Sequence, residues 1–191
     1  MNEQSLRELI AEIFRLAYTR RLVDLLGGNA SARLSGDEVL ITPTSTPKVI
    51  IKPQNIVKIR LDGTVVSGGK PSSEWRMHVA IYRVRDDVRF VLHTHPPNIL
   101  ALTRAGLKID MSLSEAISYV GEVIDVPFLR PGSNELAEAV SRALSRKNVT
   151  AVILRNHGLV TVGVTPYEAF NRAEVLEDLA YITLMSSCHG K

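Results

Sequence analysis

The sequence has little cysteine, no long apolar run and almost no excess charge of either sign. Its single cysteine, Cys188, cannot build a disulfide framework, so we expect a reducing compartment. No apolar stretch approaches the roughly 18 residues that a membrane-spanning helix needs. The first residues have neither the basic nor the apolar region of a secretion signal. We therefore expect a cytoplasmic protein that does not interact with a membrane.

The charge balance argues against a nucleic-acid partner. There are 23 Lys and Arg residues against 20 Asp and Glu, and the basic residues are scattered along the chain rather than clustered in a stripe. A hydrophobic share of 45% and a charged share of 23% are typical of globular proteins. A chain of 191 residues can bury a core without disulfides, and we expect a single domain over residues 1–191.

Hydrophobic periodicity predicts helices and short strands in alternation. Apolar residues at helical spacing predict a first helix over residues 3–24, ended by Gly27 and Gly28. Asp62-Gly63 is the strongest hairpin signal in the chain. Strands are predicted over residues 31–34, 39–42, 55–60, 64–67, 88–92, 123–126, 150–154 and 159–164, and further helices from 72, over 98–104 and 134–146, and from 165. Because hairpins and helical connections are mixed, we predict an α/β fold with a mixed, mostly antiparallel sheet covered by helices on both faces.

Three of the five histidines follow predicted strands. His93 and His95 are two residues apart, so in an extended segment both side chains project to the same side. His157 follows another apolar strand. If the two strands are close in the sheet, the three imidazoles converge, and three histidines with an open position are typical of a catalytic zinc site. Glu74 is the candidate for a fourth ligand.

A lone histidine at a strand end is more often a surface residue or a satisfied polar group. We give that ordinary interpretation to His78, which lies within a predicted helix, and to His189, which lies near the end of the chain.

Small polar residues cluster around glycines in three predicted loops. The loops are Gly28-Asn29-Ala30-Ser31, Thr42-Pro43-Thr44-Ser45 and Pro71-Ser72-Ser73. Backbone N–H groups at a helix start, reinforced by two hydroxyls, suit a phosphate. The alternative for the third loop is ordinary N-capping by one of its serines. A phosphate bound there would lie close to Glu74, whose carboxylate can move a proton.

Taken together, these motifs resemble the class II aldolase/epimerase family over nearly the whole chain. The resemblance rests on the order and spacing of Gly28-Asn29-Ala30-Ser31, Thr42-Pro43-Thr44-Ser45, Ser72-Ser73-Glu74, His93-Thr94-His95-Pro96, Gly132-Ser133 with Glu135-Leu136, and Asn156-His157-Gly158. It implies a three-layer α/β/α sandwich. It also implies a homotetramer with active sites at the subunit interfaces.

The resemblance also implies roles for individual residues. His93, His95 and His157 would bind Zn²⁺, or another divalent metal such as Mn, Co or Fe, with Glu74 as a ligand and acid/base beside it. The phosphate of a phosphorylated sugar would be bound by Gly28, Asn29, Thr44, Ser45, Ser72 and Ser73.

The reaction that the resemblance favours is retro-aldol cleavage. A ketose 1-phosphate similar to fuculose 1-phosphate would give dihydroxyacetone phosphate and an aldehyde through a metal-stabilised enediolate. Glu74 would carry the proton at the carbon next to the carbonyl. Glu115 is the candidate for a second acid on the aldehyde side. The alternative is that Glu115 is a solvated helix residue without a role in the reaction.

Three other functions stay open. Within the family, the alternatives are a dehydratase of methylthioribulose 1-phosphate and a 4-epimerase of ribulose phosphate. A non-catalytic interaction domain similar to adducin would share the fold but lack the set of metal ligands. Metal content separates that domain from the enzymes, and product analysis separates the enzymes from one another.

Overall fold

An eight-stranded sheet lies at the centre of the structure, a computed structural model that describes residues 2–189. The side chains of Cys188 and His189 lie outside that description. The strands are β1 (Asn29–Arg33), β2 (Glu38–Ile41), β3 (Val57–Arg60), β4 (Val65–Ser67), β5 (Phe90–Thr94), β6 (Glu122–Val126), β7 (Val149–Leu154) and β8 (Gly158–Gly163). Their order is β4-β3-β2-β1-β5-β8-β7-β6, and in the described chain only β6 and β7 pair in parallel. The predicted mixed, mostly antiparallel sheet is confirmed.

Helices cover both faces of the sheet. They are α1 (Glu3–Thr19), α2 (Trp75–Val84), α3 (Pro97–Arg104), α4 (Ser114–Tyr119), α5 (Asn134–Leu144) and α6 (Pro166–His189), with short 3₁₀ turns at Lys48–Ile50 and Pro53–Asn55. One hydrophobic core lies under α2 and α5, and a second lies under α1, α3 and α6. This is the three-layer arrangement that the resemblance implies. In the described part of the chain, no helix combines the length and apolar character needed to cross a bilayer.

The first helix is shorter than its periodicity predicts. It ends at Thr19 rather than at residue 24, because Arg21 adopts a left-handed conformation with φ of 58°. The N–H of Leu22 donates to the carbonyl of Ala17 at 2.9 Å, and the N–H of Arg21 donates to Tyr18 at 3.0 Å. This pair of bonds is a Schellman cap. The signal was missed because an arginine occupies the position where a glycine is usual.

The Asp62-Gly63 hairpin forms as predicted. Strands β3 and β4 pair antiparallel, and Gly63 has a φ of +92° that favours glycine. The side chain of Asp62 accepts the N–H of Thr64 at 2.8 Å, which closes the turn. The helix α4 was not predicted.

The central strands bring one end of the sheet into a single site. Asn29, the first residue of β1, lies opposite His93 near the end of β5. The next strand, β8, begins at Gly158 and pairs with β5 so that Leu159 lies opposite Thr94. The starts of β1 and β8 and the end of β5 therefore lie at the same end of the central strands. The side chains described below project from this end.

Candidate active site

Three imidazole rings converge at this end of the central strands. His93 lies within β5, His95 directly follows it, and His157 lies in the tight turn between β7 and β8. The ring centroid of His93 lies 4.8 Å from that of His95 and 4.9 Å from that of His157. One ligating nitrogen from each ring lies within 4.8 Å of the others. The strand-end argument predicted this convergence.

Two unusual backbone positions allow the rings to come so close. Asn156 has a φ of 58°, and the N–H of His157 donates to the carbonyl of Leu154 at 2.9 Å, so β7 reverses into β8 within a few residues. A Cβ atom at Gly158 would lie 2.9 Å from Cδ2 of His95 and would overlap the carbonyl oxygen of Thr94. Any side chain at residue 158 would therefore push the imidazoles apart.

The ring of His93 is held in one tautomer by the backbone. Its Nδ1 lies 3.0 Å from the carbonyl oxygen of Leu159, which only accepts, so Nδ1 carries the proton. The Nε2 atom of His93 lies 3.0 Å from Nε2 of His95 and is the ring nitrogen left to bind a metal. An imidazole whose second nitrogen is fixed by a carbonyl is the usual form of a metal-binding histidine.

Glu74 places its carboxylate beside the rings. It is only 6% exposed and lies directly before α2. Its Oε2 atom is 3.0 Å from Nε2 of His93, and its Oε1 atom is 3.5 Å from Nε2 of His157. The Nδ2 of Asn29 donates to Oε2 at 3.0 Å, whereas Oε1 is buried and has no hydrogen-bond donor in the described chain.

A fourth histidine, His78, forms a hydrogen bond with the side chain of Asn29. Nε2 of His78 donates to Oδ1 of Asn29, and Nδ1 of His78 lies 2.6 Å from the hydroxyl of Ser31. The hydroxyl of Tyr82 donates to the carbonyl of Ser31 at 2.9 Å. These bonds fix the amide of Asn29 so that its Nδ2 points at Glu74. His78 is thus a buried histidine with satisfied hydrogen bonds, as predicted. Its contact with Asn29 was not predicted. The sequence feature that indicates this contact is the four-residue spacing that places Glu74, His78 and Tyr82 on one helix face.

The electrostatics of the cluster suit a cation. Burial alone would raise the pKa of Glu74, but the imidazoles of His93 and His157 and the amide of Asn29 hold it well below its ordinary value. Burial lowers the pKa of His95 to about 3 and that of His157 to about 4. Near neutral pH the carboxylate is therefore ionised, while His95 and His157 are uncharged.

This donor set fits a divalent metal. Nε2 of His93 lies 3.0 Å from both Nε2 of His95 and Oε2 of Glu74, and Oε1 of Glu74 is buried without a hydrogen-bond donor in the described chain. Native structures rarely leave such groups unpartnered. Imidazole nitrogens and a carboxylate are the ligands that zinc and related transition metals prefer.

A cavity of about 290 Å³ opens beside the three histidines. All six residues expected to bind a phosphate line it, together with Glu74, His95 and His157; the six are Gly28, Asn29, Thr44, Ser45, Ser72 and Ser73. Leu26, Gly27, Pro43 and Pro131 complete the lining, and these four were not predicted. The cavity thus joins the predicted phosphate loops to the predicted metal ligands.

The loops of this cavity are held in strained or crowded conformations. Gly28 has a φ of +69°, and a Cβ atom there would lie 2.8 Å from the carbonyl oxygen of His93. Ser45 has a φ of 53°, which is unusual for a residue with a side chain. Such conformations persist where the surrounding structure over-determines them, often at binding sites.

The third loop does not cap its helix with a serine. Helix α2 begins at Trp75, and its N-cap position is Glu74, whose side chain makes no capping bond. Ser72 instead accepts the N–H of Glu74 at 3.3 Å, and its own N–H donates to Thr42 at 3.0 Å. Ser72 is therefore not the N-cap residue of α2, which starts later than predicted, but its hydroxyl accepts a backbone N–H two residues on, so a bond of the capping type is present.

Glu115 is not brought to this cavity. It lies exposed in the first turn of α4, and its carboxylate accepts a hydrogen bond from Ser114 at 2.7 Å. A larger cavity, of about 830 Å³, lies at the opposite ends of β1 and β5, where Arg33, Phe90 and Tyr167 are among its lining residues. Within the described residues, the one group of three candidate metal ligands belongs to the smaller cavity.

Comparisons with known proteins agree with this geometry. Residues 8–184 match the family described as Class II Aldolase and Adducin N-terminal domain. L-fuculose phosphate aldolase from Methanocaldococcus jannaschii is 33% identical over 175 residues, which cover 92% of this chain and 93% of the relative. The 3-oxo-tetronate 4-phosphate decarboxylase from Haemophilus influenzae is 31% identical over 186 residues, covering 94% and 87%.

A solved structure shows the same fold. A protein described as L-fuculose 1-phosphate aldolase superposes with a TM-score of 0.90 at 28% identity, covering 98% of this chain and 88% of that one. The family match extends over most of the described chain, and two relatives exceed 30% identity over most of its length. The protein therefore belongs to the class II aldolase and adducin family.

Proposed function

We propose that the protein is a cytoplasmic, divalent-metal-dependent aldolase that cleaves a ketose 1-phosphate to dihydroxyacetone phosphate and an aldehyde. A single observation supports this proposal most strongly. Three imidazoles and a buried carboxylate meet at one end of a cavity whose other walls are loops rich in hydroxyl and backbone donors. A metal centre beside a phosphate site is what this reaction requires.

The metal would be held by His93, His95 and His157, with Glu74 beside them. We propose zinc, because three neutral imidazoles with an open position suit it, and Mn, Co and Fe are the alternatives. When bound, a divalent ion withdraws electron density from the ketone oxygen and the neighbouring hydroxyl oxygen, which stabilises negative charge as the carbon–carbon bond breaks.

The phosphate loops would orient the substrate. Four residues that carry hydroxyls, Thr44, Ser45, Ser72 and Ser73, line the cavity together with Glu74. A phosphate bound by them fixes the carbon chain at one end, so the carbon next to the carbonyl is held in a limited set of positions. Such positioning removes part of the entropic barrier of the reaction.

Glu74 would carry the proton. Cleavage leaves an electron pair on the carbon next to the carbonyl, as an enediolate, and that carbon must be protonated before dihydroxyacetone phosphate is released. Because the pKa of Glu74 is held low, its carboxylate is ionised in the resting site and accepts a proton in the direction of bond formation. In the direction of cleavage Glu74 must first take up a proton, which comes from the aldehyde-side hydroxyl by way of the second base or from solvent, and then delivers it to that carbon.

Retro-aldol cleavage also needs a base for the hydroxyl proton on the aldehyde side. Glu74 is the one carboxylate that lines the cavity in the described chain, and Glu115 does not reach it. We propose that the protein is a homotetramer with active sites at its subunit interfaces, so that a neighbouring subunit supplies this second group. Exposed Glu115 is the candidate.

A decarboxylase of a phosphorylated 3-oxo acid is the second candidate. Loss of CO₂ from such an acid gives a similar enediolate but removes no hydroxyl proton, so it needs no second base. The single carboxylate in the cavity lining favours this reaction, and one relative is described as a 3-oxo-tetronate 4-phosphate decarboxylase.

Product analysis separates the two candidates. The purified, metal-loaded protein is incubated with dihydroxyacetone phosphate and a panel of aldehydes, and in parallel with a phosphorylated 3-oxo acid and with methylthioribulose 1-phosphate. New ketose phosphates in the first incubation are expected for an aldolase. Release of CO₂ from the phosphorylated 3-oxo acid would show that the protein is a decarboxylase rather than an aldolase. Turnover of methylthioribulose 1-phosphate alone would show that it is a dehydratase.

A further inference from the structure

A lysine is buried directly behind the loops that line the cavity. Lys48 begins the 3₁₀ turn Lys48–Ile50 and is only 1% exposed. Its Nζ donates to the carbonyl of Leu26 and to the carbonyl of Thr46, each at 3.1 Å, and its backbone N–H donates to Leu25 at 3.0 Å. Its ammonium also lies 4.8 Å from the ring centre of Phe14. Lysines are almost never buried to this degree unless they are paired.

The partners of this ammonium do not neutralise it. Both hydrogen bonds of Nζ go to carbonyl oxygens, and within the described side chains no carboxylate forms an ion pair with it. Burial lowers the pKa of Lys48 to about 8, and the carboxylate of Asp24 partly offsets this effect. Burying a cation without a counter-ion costs free energy. A purely structural role, in which the side chain only links two loops, would therefore not favour a lysine at this position.

The loops that line the cavity next to Lys48 carry no cationic side chain of their own. Its lining residues include no lysine and no arginine, and the bound metal would add positive charge at the three histidines. A phosphate ester carries nearly two negative charges, and the loops expected to bind it offer hydroxyl and backbone donors.

Lys48 lies directly behind two of these loops. Leu26 lines the cavity itself, and Thr46 directly follows the lining residues Thr44 and Ser45. The two bonds of Nζ therefore occupy carbonyl oxygens of both loops, which would otherwise present partial negative charge near an anion. In a buried site the field of a cation is weakly screened.

We propose that Lys48 is a positioning residue that supplies positive charge, from behind these two loops, to the part of this cavity that binds the phosphate ester. The inference rests on the proposed function for the identity of the ligand as a phosphate ester. It deepens that function, because it assigns the counter-charge of the phosphate to a residue that does not touch the substrate.

The test measures binding of dihydroxyacetone phosphate to the metal-loaded protein by titration calorimetry. Lys48→Met removes the charge but keeps an unbranched apolar side chain, and Lys48→Arg keeps the charge. Lys52→Met is the matched control, because it removes the same charge from an exposed position four residues away. A neighbouring charge shifts a pKa by roughly one to three units, so by linkage the loss of the Lys48 charge weakens binding by about tenfold or more.

The inference predicts a specific pattern among the variants. Lys48→Met loses affinity for dihydroxyacetone phosphate, Lys48→Arg recovers most of it, and Lys52→Met binds as the unmodified protein does. Affinity for unphosphorylated dihydroxyacetone is the same in all four. Equal affinity in Lys48→Met and the unmodified protein overturns the inference, as does a loss for both ligands alike, which would indicate a merely structural role.

A measurement on the unmodified protein covers the case in which Lys48→Met does not fold. The charged group that acts on Lys48 is the carboxylate of Asp24, in the loop after α1, whereas Arg15 on α1 donates to the carbonyl of Ile51. Between pH 7.5 and 9.5 the affinity for dihydroxyacetone phosphate is expected to fall as Lys48 loses its proton. A constant affinity over this range, or no binding at all, overturns the inference.

This test can fail separately from the proposed function. If binding depends on Lys48 but none of the assayed substrates is cleaved or decarboxylated, the role of Lys48 stands and the proposed reaction falls. If ketose phosphates form but binding is indifferent to the charge of residue 48, the reaction stands and the role of Lys48 falls.

Discussion

Two substitutions at His78 test whether the support behind Glu74 matters for turnover. The ring of His78 makes two bonds, one from Nε2 to Asn29 and one at Nδ1 with Ser31. Glutamine places its amide near the position of Nε2, and asparagine places its amide near the position of Nδ1. His78→Gln therefore keeps the donor to Asn29, whereas His78→Asn loses it and keeps the contact with Ser31.

The expected magnitudes follow from these bonds. His78→Asn leaves Oδ1 of Asn29 without its donor, which costs about 1–3 kcal/mol of unfolding free energy. In His78→Gln the hydroxyl of Ser31 keeps its contact with the hydroxyl of Tyr82 at 2.9 Å, so we expect a smaller loss of stability in thermal or urea unfolding. Only His78→Asn frees the amide of Asn29 to rotate away from Glu74. Removal of such an outer partner typically costs roughly 10–100-fold in metal affinity or activity.

The assay compares kcat, metal affinity by chelator competition and unfolding for the two variants. We expect His78→Asn to lose roughly 10–100-fold in kcat and His78→Gln to lose much less. Equal kcat values for the two variants, each measured well below its unfolding midpoint, would refute the idea that His78 acts through Asn29. So would a large loss of kcat in His78→Gln alone.

Three further predictions follow from the site. Glu74→Gln should keep the fold and most of the metal but lose turnover by roughly 10²-fold or more, because an amide cannot carry the proton; undiminished kcat would exclude Glu74 as the base. Ser72→Ala with Ser73→Ala should raise KM for a phosphorylated ketose and also lower the free energy of unfolding by about 1–3 kcal/mol, because the N–H of Glu74 loses the hydroxyl of Ser72; an unaltered KM would argue against these serines as phosphate ligands. Because the pKa of His95 is lowered to about 3 and that of His157 to about 4, these rings stay deprotonated on acidification, and dialysed protein should retain its metal from pH 8 to about 5.5. Loss of half the metal near pH 6.5 would show that the rings titrate as ordinary histidines.

Much of the fold could be predicted because its signals are local. The Asp62-Gly63 turn needs only a glycine with positive φ between two strand-like runs, and the apolar runs near 90 and 152 are buried strands at the centre of the sheet. The end of α1 could not be predicted in the same way. Its cap uses Arg21 in a left-handed conformation, which tertiary packing of Leu22 stabilises at a position where no glycine marks the turn.

The candidate site shows the same division. Convergence of the histidines follows from strand ends that share one edge of the sheet, so spacing and one assumption about strand order were sufficient. Lys48 and the contact of His78 with Asn29 depend on which loops and helix faces meet across the sheet. No periodicity in the sequence reports such contacts. The role of Glu115 stays a prediction, because it depends on a neighbouring subunit.

Metal analysis of the purified protein tests the central claim most directly. Divalent metal per chain is measured by elemental analysis for the unmodified protein and for His93→Ala, with Glu115→Gln as a control that removes an exposed charge away from the cluster. We expect about one metal ion per chain in the unmodified protein and in the control, and almost none in His93→Ala. Full loading of His93→Ala, or an unmodified protein that takes up no divalent metal when reconstituted, would contradict the account.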